Sequence, residues 1–251
     1  MAIQTFERRE IKFLLSAEQY EALQEVLTQY MNPDPYCIDG KTYGIYNVYY
    51  DTENDDLIRQ SIEKPYYKEK IRLRSYLSPA GPEDRVFLEI KKKIGGIVNK
   101  RRVTMTLEEA NNYMFHGIRP ADNGKYIQRQ VLKELDVLLS RYHVTPKQYI
   151  SYERAAYFGK DDGNFRLTFD RNITARRYDV ALDLESYGEQ LIPETARLME
   201  VKINGSMPKW LAEQLAALKI YKISFSKYGR AYQNEVRARM EEQKRSRLSY
   251  V

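Results

Sequence analysis

The chain has 251 residues, 43% hydrophobic and 30% charged, which allows one large all-β or α+β domain, or two small ones, with a full core. Its 41 Lys and Arg against 35 Asp and Glu leave a formal charge of +6, suited to a nucleic acid, an acidic membrane surface or a phosphorylated small molecule. The single cysteine, Cys37, excludes an intrachain disulfide and a Cys-rich zinc site. Only His116 and His143 could serve a histidine-based catalytic group, and both lie in or beside helical patterning. No apolar run reaches the roughly twenty residues of a membrane span, and the start lacks a signal-peptide core. A cytoplasmic protein without membrane insertion is expected.

In chain order, Phe6 to Leu15 reads as a strand with Arg8, Glu10 and Lys12 on one face. Ser16 and Gln19 form a capping box, and Tyr20, Leu23, Val26, Leu27 and Tyr30 give an apolar helical stripe that ends at Pro33-Asp34-Pro35. A strand is expected over Tyr43–Tyr50, and a short helix or loop over Asn54–Tyr66. The next strand, opening after Tyr67, sets Lys68, Lys70, Arg72 and Arg74 side by side. Arg85–Ile94 and Ile97–Thr106 flank Gly95-Gly96, the signature of a tight hairpin. Pairing Ile94 with Ile97 places Lys91 opposite Lys100 and Glu89 opposite Arg102.

Thr106 and Glu109 cap a further helix, and another is expected from Lys125 to Tyr142. Gln148–Phe158 and Phe165–Arg171 read as a second hairpin with Gly163 in the left-handed position, which sets Arg154 opposite Asp170 and on a face with Arg166. Arg176–Leu184 and Ala196–Ile203 are further expected strands, the latter carrying Glu200 and Lys202. A helix spans Pro208 to Leu218, and a last helix becomes highly charged from Arg237. A domain over residues 1–236 with a charged, solvated tail over 237–251 follows.

Nearly every strand thus carries charge at alternating positions. On the cationic strand alone, an edge protected by Lys and Arg is as good a reading as a binding face. A sandwich needs dry inner faces, whereas a closed barrel holds a polar, ligand-filled interior under flanking helices. Cations gathered this way require compensating anions, and a chain of phosphates matches their donors. Glu10, Glu89, Asp170 and Glu200 are hard oxygen ligands of the kind that hold magnesium or manganese beside phosphate, though each also serves as a salt-bridge partner.

Eight short motifs then carry a resemblance: Arg8-x-Glu10-x-Lys12, Tyr49-Tyr50-Asp51-Thr52, Arg72-Leu73-Arg74, Glu89-Ile90-Lys91, Tyr152-x-Arg154, Arg166-Leu167-Thr168-Phe169-Asp170, Glu200-Val201-Lys202 and Ser226-Lys227-Tyr228. In this order the chain resembles the CYTH-like triphosphate tunnel metalloenzymes, and within them the VTC domain of polyphosphate polymerases. The resemblance implies an α+β fold built on an antiparallel eight-stranded closed tunnel, and transfer of the terminal phosphate of ATP to polyphosphate with Mn2+ or Mg2+. Lys12, Arg72, Arg74, Lys91, Arg154, Arg166, Lys202 and Lys227 would bind phosphates, with Lys70, Lys100, Arg102 and Tyr152 beside them. Glu200 would hold the metal, with Glu10 and Glu89 as further candidates. Arg8 replaces the first Glu of the E-x-E-x-K pattern of many hydrolases in the superfamily. A terminal phosphate is already ionised, so the transfer needs no general base. The alternatives are a tripolyphosphatase or nucleoside triphosphatase, with water activated by Glu10 or Glu89, and a non-catalytic polyphosphate-binding module. A nucleic-acid partner fits less well, and coupling to export would need a membrane-protein partner.

Overall fold

The computed structural model describes residues 8–95, 97–122 and 124–248. β1 (Arg8–Leu15) leads into α1 (Ala17–Tyr30), and Ser16 closes the expected capping box: its hydroxyl accepts from the Gln19 N–H, while Gln19 Oε1 accepts from the Ser16 N–H. Leu23 and Leu27 bury the inner face of α1, each contributing roughly 1.5–3 kcal/mol. After β2 (Met31–Pro33) and a 3₁₀ segment (Pro35–Gly40) come β3 (Tyr43–Asp51) and α2 (Asp56–Glu63). β4 (Tyr67–Ser75), β5 (Arg85–Ile94) and β6 (Ile97–Thr106) follow, then α3 (Leu107–His116) and α4 (Tyr126–Arg141). The remainder is β7 (Thr145–Gly159), β8 (Arg166–Arg176), β9 (Glu189–Gln190), β10 (Arg197–Asn204), α5 (Lys209–Ala217), β11 (Lys222–Ile223) and α6 (Lys227–Leu248).

The strands form one sheet of eleven, hydrogen-bonded in the order β11-β1-β10-β8-β7-β3-β4-β5-β6, with β2 on β7 and β9 on β8. The α+β class with antiparallel pairing and flanking helices is as the sequence implies. The closed eight-stranded barrel is not: the order ends at β11 and β6, which do not pair with each other. Alternating charge specifies the faces of strands but not their edges. β11 offers only two residues for pairing, and β6 exposes Asn99, Lys100 and Arg102, a composition that discourages further pairing.

The chain divides into two compact units. The first contains the residues up to Ile45, with Tyr152–Ile173 and Ile192–Phe225; its core joins Phe13, Leu15, Phe169, Met199 and Val201 to Leu23 and Leu27 of α1 and Leu211 of α5. The second contains Tyr46–Ser151, Thr174–Leu191 and the chain from Ser226; its core joins Ile71, Leu73, Leu88, Ile90 and Val103 to Leu57 of α2 and to α3 and α4.

Ile94 pairs with Ile97, Lys91 with Lys100 and Glu89 with Arg102, the register expected from the hairpin; Gly95 takes φ +53°, and Gly96 lies outside the described residues. Two local expectations are corrected. Gly163 is not left-handed; the turn closes instead through Asp162, whose carbonyl accepts from the Phe165 N–H and whose carboxylate accepts from the Asn164 N–H. The expected strand at Arg176–Leu184 is irregular, because β8 ends at Arg176 and the Arg176 guanidinium bonds the carbonyls of Asp179 and Tyr187, folding the chain back on itself. The charged stretch from Arg237 continues α6, with exposed side chains over residues 237–246. No described helix is long and apolar enough to cross a membrane.

Candidate phosphate-binding faces

In the second unit the side chains of β4–β6 that point away from the core form a cationic face. The register aligns Lys68 with Lys93, Lys70 with Lys91 and Lys100, Arg72 with Glu89 and Arg102, and Arg74 with Phe87. Directly opposed residues share a face, so Lys68, Lys70, Arg72, Arg74, Lys91, Lys93, Lys100 and Arg102 stand together against the single carboxylate Glu89. Glu89 is only 1% exposed and lies 2.6 Å from Arg72 Nε, 2.6 Å from Lys100 Nζ and 3.8 Å from Arg74 Nη2. Burial alone would raise its pKa; Arg72, Arg74 and Lys100 override that and hold it at about 2. Burial lowers Lys68, helped by repulsion from Lys93, Lys64 and Lys91.

A further layer fixes these cations. Arg72 Nη1 donates to the Tyr49 hydroxyl (3.2 Å), and Arg74 Nε donates to Asn47 Oδ1 (3.1 Å). Tyr49 stacks on Tyr228 at 4.6 Å between ring centroids, and the Tyr228 hydroxyl donates to the buried Asp51 (2.8 Å). Lys70 Nζ reaches Ser226 Oγ (3.3 Å) and sits 5.7 Å from the centre of the Tyr228 ring, while the Arg102 guanidinium lies 4.9 Å from the Phe87 ring. Lys227 is buried at the start of α6.

The first unit presents a different chemistry. β1, β10 and β8 pair Glu10 with Lys202, Lys12 with Glu200, Glu200 with Thr168, and Lys202 with Arg166. Lys12 Nζ lies 3.3 Å from Glu10 and 3.2 Å from Glu200; Arg154 and Lys202 approach the other Glu200 oxygen at 3.6 and 3.9 Å. Arg154 grips Asp170 with both ends of its fork, at 2.6 and 2.7 Å, and lies 5.2 Å from the Tyr152 ring centre. Arg166 packs against Phe158 and lies 3.8 Å from Asp34. Burial pulls Lys202 down to about 8; Glu200 only partly offsets it, and Arg154 adds repulsion. Arg166 Nε and Thr168 Oγ1 are buried with no hydrogen-bond partner among the described residues, two groups that a phosphate oxygen could satisfy.

Among the described residues no three His, Cys, Asp or Glu side chains cluster as a ready-made metal site. Glu10 and Glu200, both against Lys12, do fit the one or two carboxylates that hold a magnesium-like ion when phosphates complete its shell. Glu89 has no second carboxylate beside it on its face of β4–β6, only Arg72, Arg74 and Lys100, so it does not form such a pair.

A family profile for the VTC domain matches residues 7–235, nearly the whole chain. The chain belongs to the VTC domain family. No curated protein matches this VTC domain. Among solved structures it is similar to a Bacillus halodurans protein assigned as an adenylate cyclase, at 15% identity, covering 88% of this chain and 95% of that one, with a TM-score of 0.49. It is also similar to an adenylyl cyclase homologue from Hippeastrum described as having a dominant triphosphatase activity, at 17% identity, 90% and 95% coverage, and a TM-score of 0.49.

Of the residues singled out from sequence, Lys70, Arg72, Arg74, Glu89, Lys91, Lys100 and Arg102 share the face in the second unit, where Lys227 is also found. Glu10, Lys12, Arg154, Arg166, Glu200 and Lys202 share the face in the first, with Tyr152 beside Arg154. Sequence reasoning missed Asp34, Asn47 and Tyr49 as partners of these cations. Asn47 and Tyr49 alternate on β3 opposite Arg74 and Arg72, a signal that needs the pairing of β3 with β4 to be read.

Proposed function

We propose that this VTC domain is a metal-dependent polyphosphate polymerase, transferring the terminal phosphate of ATP to a growing polyphosphate. The observation that supports it most is the face of eight cations gathered on a single carboxylate, an excess that a polyanion would offset. Arg72 and Arg74, locked by Glu89, Tyr49 and Asn47, present guanidinium donors in fixed directions, and Lys70, Lys91, Lys100 and Arg102 add charge along the strands. Such preorganised cations stabilise the charge that spreads over a transferring phosphoryl group without reorganising during the reaction. In the first unit Arg154, Arg166, Thr168 and Lys202 offer further phosphate contacts. Mn2+ or Mg2+ held by Glu10 and Glu200 would neutralise phosphate charge there. His116 ends α3 and His143 follows α4, so neither histidine stands on a charged face, in keeping with a nucleophile that is already ionised.

Incubation with ATP and manganese, followed by gel electrophoresis, is expected to yield long polyphosphate. The Arg72→Ala variant is expected to lose activity by about two orders of magnitude or more while keeping its fold, since Glu89 retains Lys100 and Arg74. Free phosphate without chains would replace this reading by a hydrolase, with the part-exposed Glu10 as the carboxylate that activates water. Tight tripolyphosphate binding without either product would leave a binding module.

A further inference from the structure

Asp170 faces the cations of the first unit, so its neighbours Phe169 and Arg171 point to the opposite side of β8. On that side lies a cavity of about 150 Å³ that the proposed reaction does not use. Its walls are aromatic: Tyr20 of α1 meets Phe169 edge to face at 5.1 Å, and Tyr157 of β7 does the same at 5.9 Å. A cavity of this volume takes a single six-membered ring.

Its charged groups are both guanidiniums, Arg171 and Arg197. The Arg197 guanidinium lies 5.5 Å from the Tyr20 ring centre, and Arg171 lines the same wall. Burial raises the Tyr20 hydroxyl, and Arg197 and Arg171 both lower it. Arg171 is largely matched by Glu153, at 2.9 and 2.6 Å, and Arg197 bonds, among the described residues, the carbonyls of Glu194 and Ala196 and no carboxylate, which leaves about one positive charge uncompensated. Gln24 Oε1 accepts from the Tyr157 hydroxyl (3.2 Å), and Gln24 Nε2 is buried with no partner among the described residues. A buried donor in this state calls for an acceptor that the protein does not supply.

We propose that this cavity is a second ligand site, taking a small aromatic monocarboxylate whose ring carries a further hydrogen-bond acceptor. The ring lies among Tyr20, Tyr157 and Phe169, the carboxylate meets Arg197 and Arg171, and the ring substituent meets Gln24 Nε2. An oligophosphate does not suit the site: the free charge is single and three of the lining side chains are aromatic.

Calorimetric titration of the full chain tests this with 4-hydroxybenzoate, benzoate, phenol and acetate. The hydroxybenzoate is expected to bind, benzoate more weakly, and phenol and acetate least. Arg197→Met should weaken the hydroxybenzoate by roughly tenfold to a hundredfold, and Gln24→Leu should reduce it to the level of benzoate. If Arg197→Met does not fold, Arg197→Lys, which keeps charge but loses the fork, is expected to weaken binding as well. No binding, equal binding of acetate, or an unchanged Arg197 variant overturns the proposal. So does displacement by tripolyphosphate, which would put the aromatic acid on a cationic face instead.

Discussion

Glu89 sets the electrostatics of the second unit because it is the one carboxylate among eight cations of its face. Its pKa of about 2 lies below the ordinary 4.5, so the charged form is favoured by folding. The stabilisation it provides is therefore fully present above about pH 4.5 and is lost as pH falls toward 2. Glu89→Gln leaves Arg72, Arg74 and Lys100 uncompensated, at a cost of about 3–5 kcal/mol at neutral pH. Thermal unfolding of both proteins at pH 7 and pH 3 checks this: the gap in Tm is expected to be roughly 10 °C at pH 7 and smaller at pH 3. A gap that stays constant would mean that Glu89 stabilises by shape rather than charge. The oppositions of β5 and β6 on this face were legible in the sequence, because the Gly95-Gly96 hairpin fixes them; the pairing of β4 with β5, which brings Arg72 and Arg74 to Glu89, was not. Tyr49 was not assigned to Arg72, because the length of the intervening segment leaves the pairing of β3 and β4 open.

At the scale of elements, Asp51 joins the end of β3 to two helices. Its carboxylate accepts from the N–H groups of Thr52, Leu57 and Ile58, capping α2 from outside the helix, and from the Tyr228 hydroxyl of α6. Burial raises its pKa, and these four bonds oppose that. Asp51→Ala removes the acceptor from four donors at once and is expected to cost about 3 kcal/mol, with a fall in Tm of roughly 6–12 °C. Because Tyr228 stacks on Tyr49, the same change should loosen Arg72 and raise KM for ATP more than loss of stability alone would. Asp51→Asn, which keeps one acceptor oxygen, should recover part of both. A variant with unchanged stability would show that solvent replaces these bonds. The sequence announces the capping boxes of α1 and α3, since donor and acceptor lie three residues apart. It cannot announce a cap whose acceptor is on a strand and whose fourth donor comes 177 residues later.

Across the whole molecule, strand faces were readable and strand edges were not. Period-two alternation assigned β1, β4, β5, β6, β8 and β10 a charged and an apolar side, and the two cores lie where the apolar sides point. Which strands end the sheet depends on pairings between distant segments, which is why a closed barrel was expected and an open order is found. The net charge of +6 understates the local excess, because the carboxylates are concentrated away from β4–β6 and the cations are concentrated on them. Polyphosphate binding should therefore weaken linearly on a log–log plot as salt rises, and more steeply for long chains than for tripolyphosphate, since each phosphate neutralised releases counterions. Lys91, in register between Lys70 and Lys100, adds charge without touching Glu89. Lys91→Ala is expected to reduce the slope by about one while leaving stability within about 0.5 kcal/mol. Titrations of both proteins between low and physiological salt measure it. A slope near zero in the wild type would mean that a polyanion does not bind through this face.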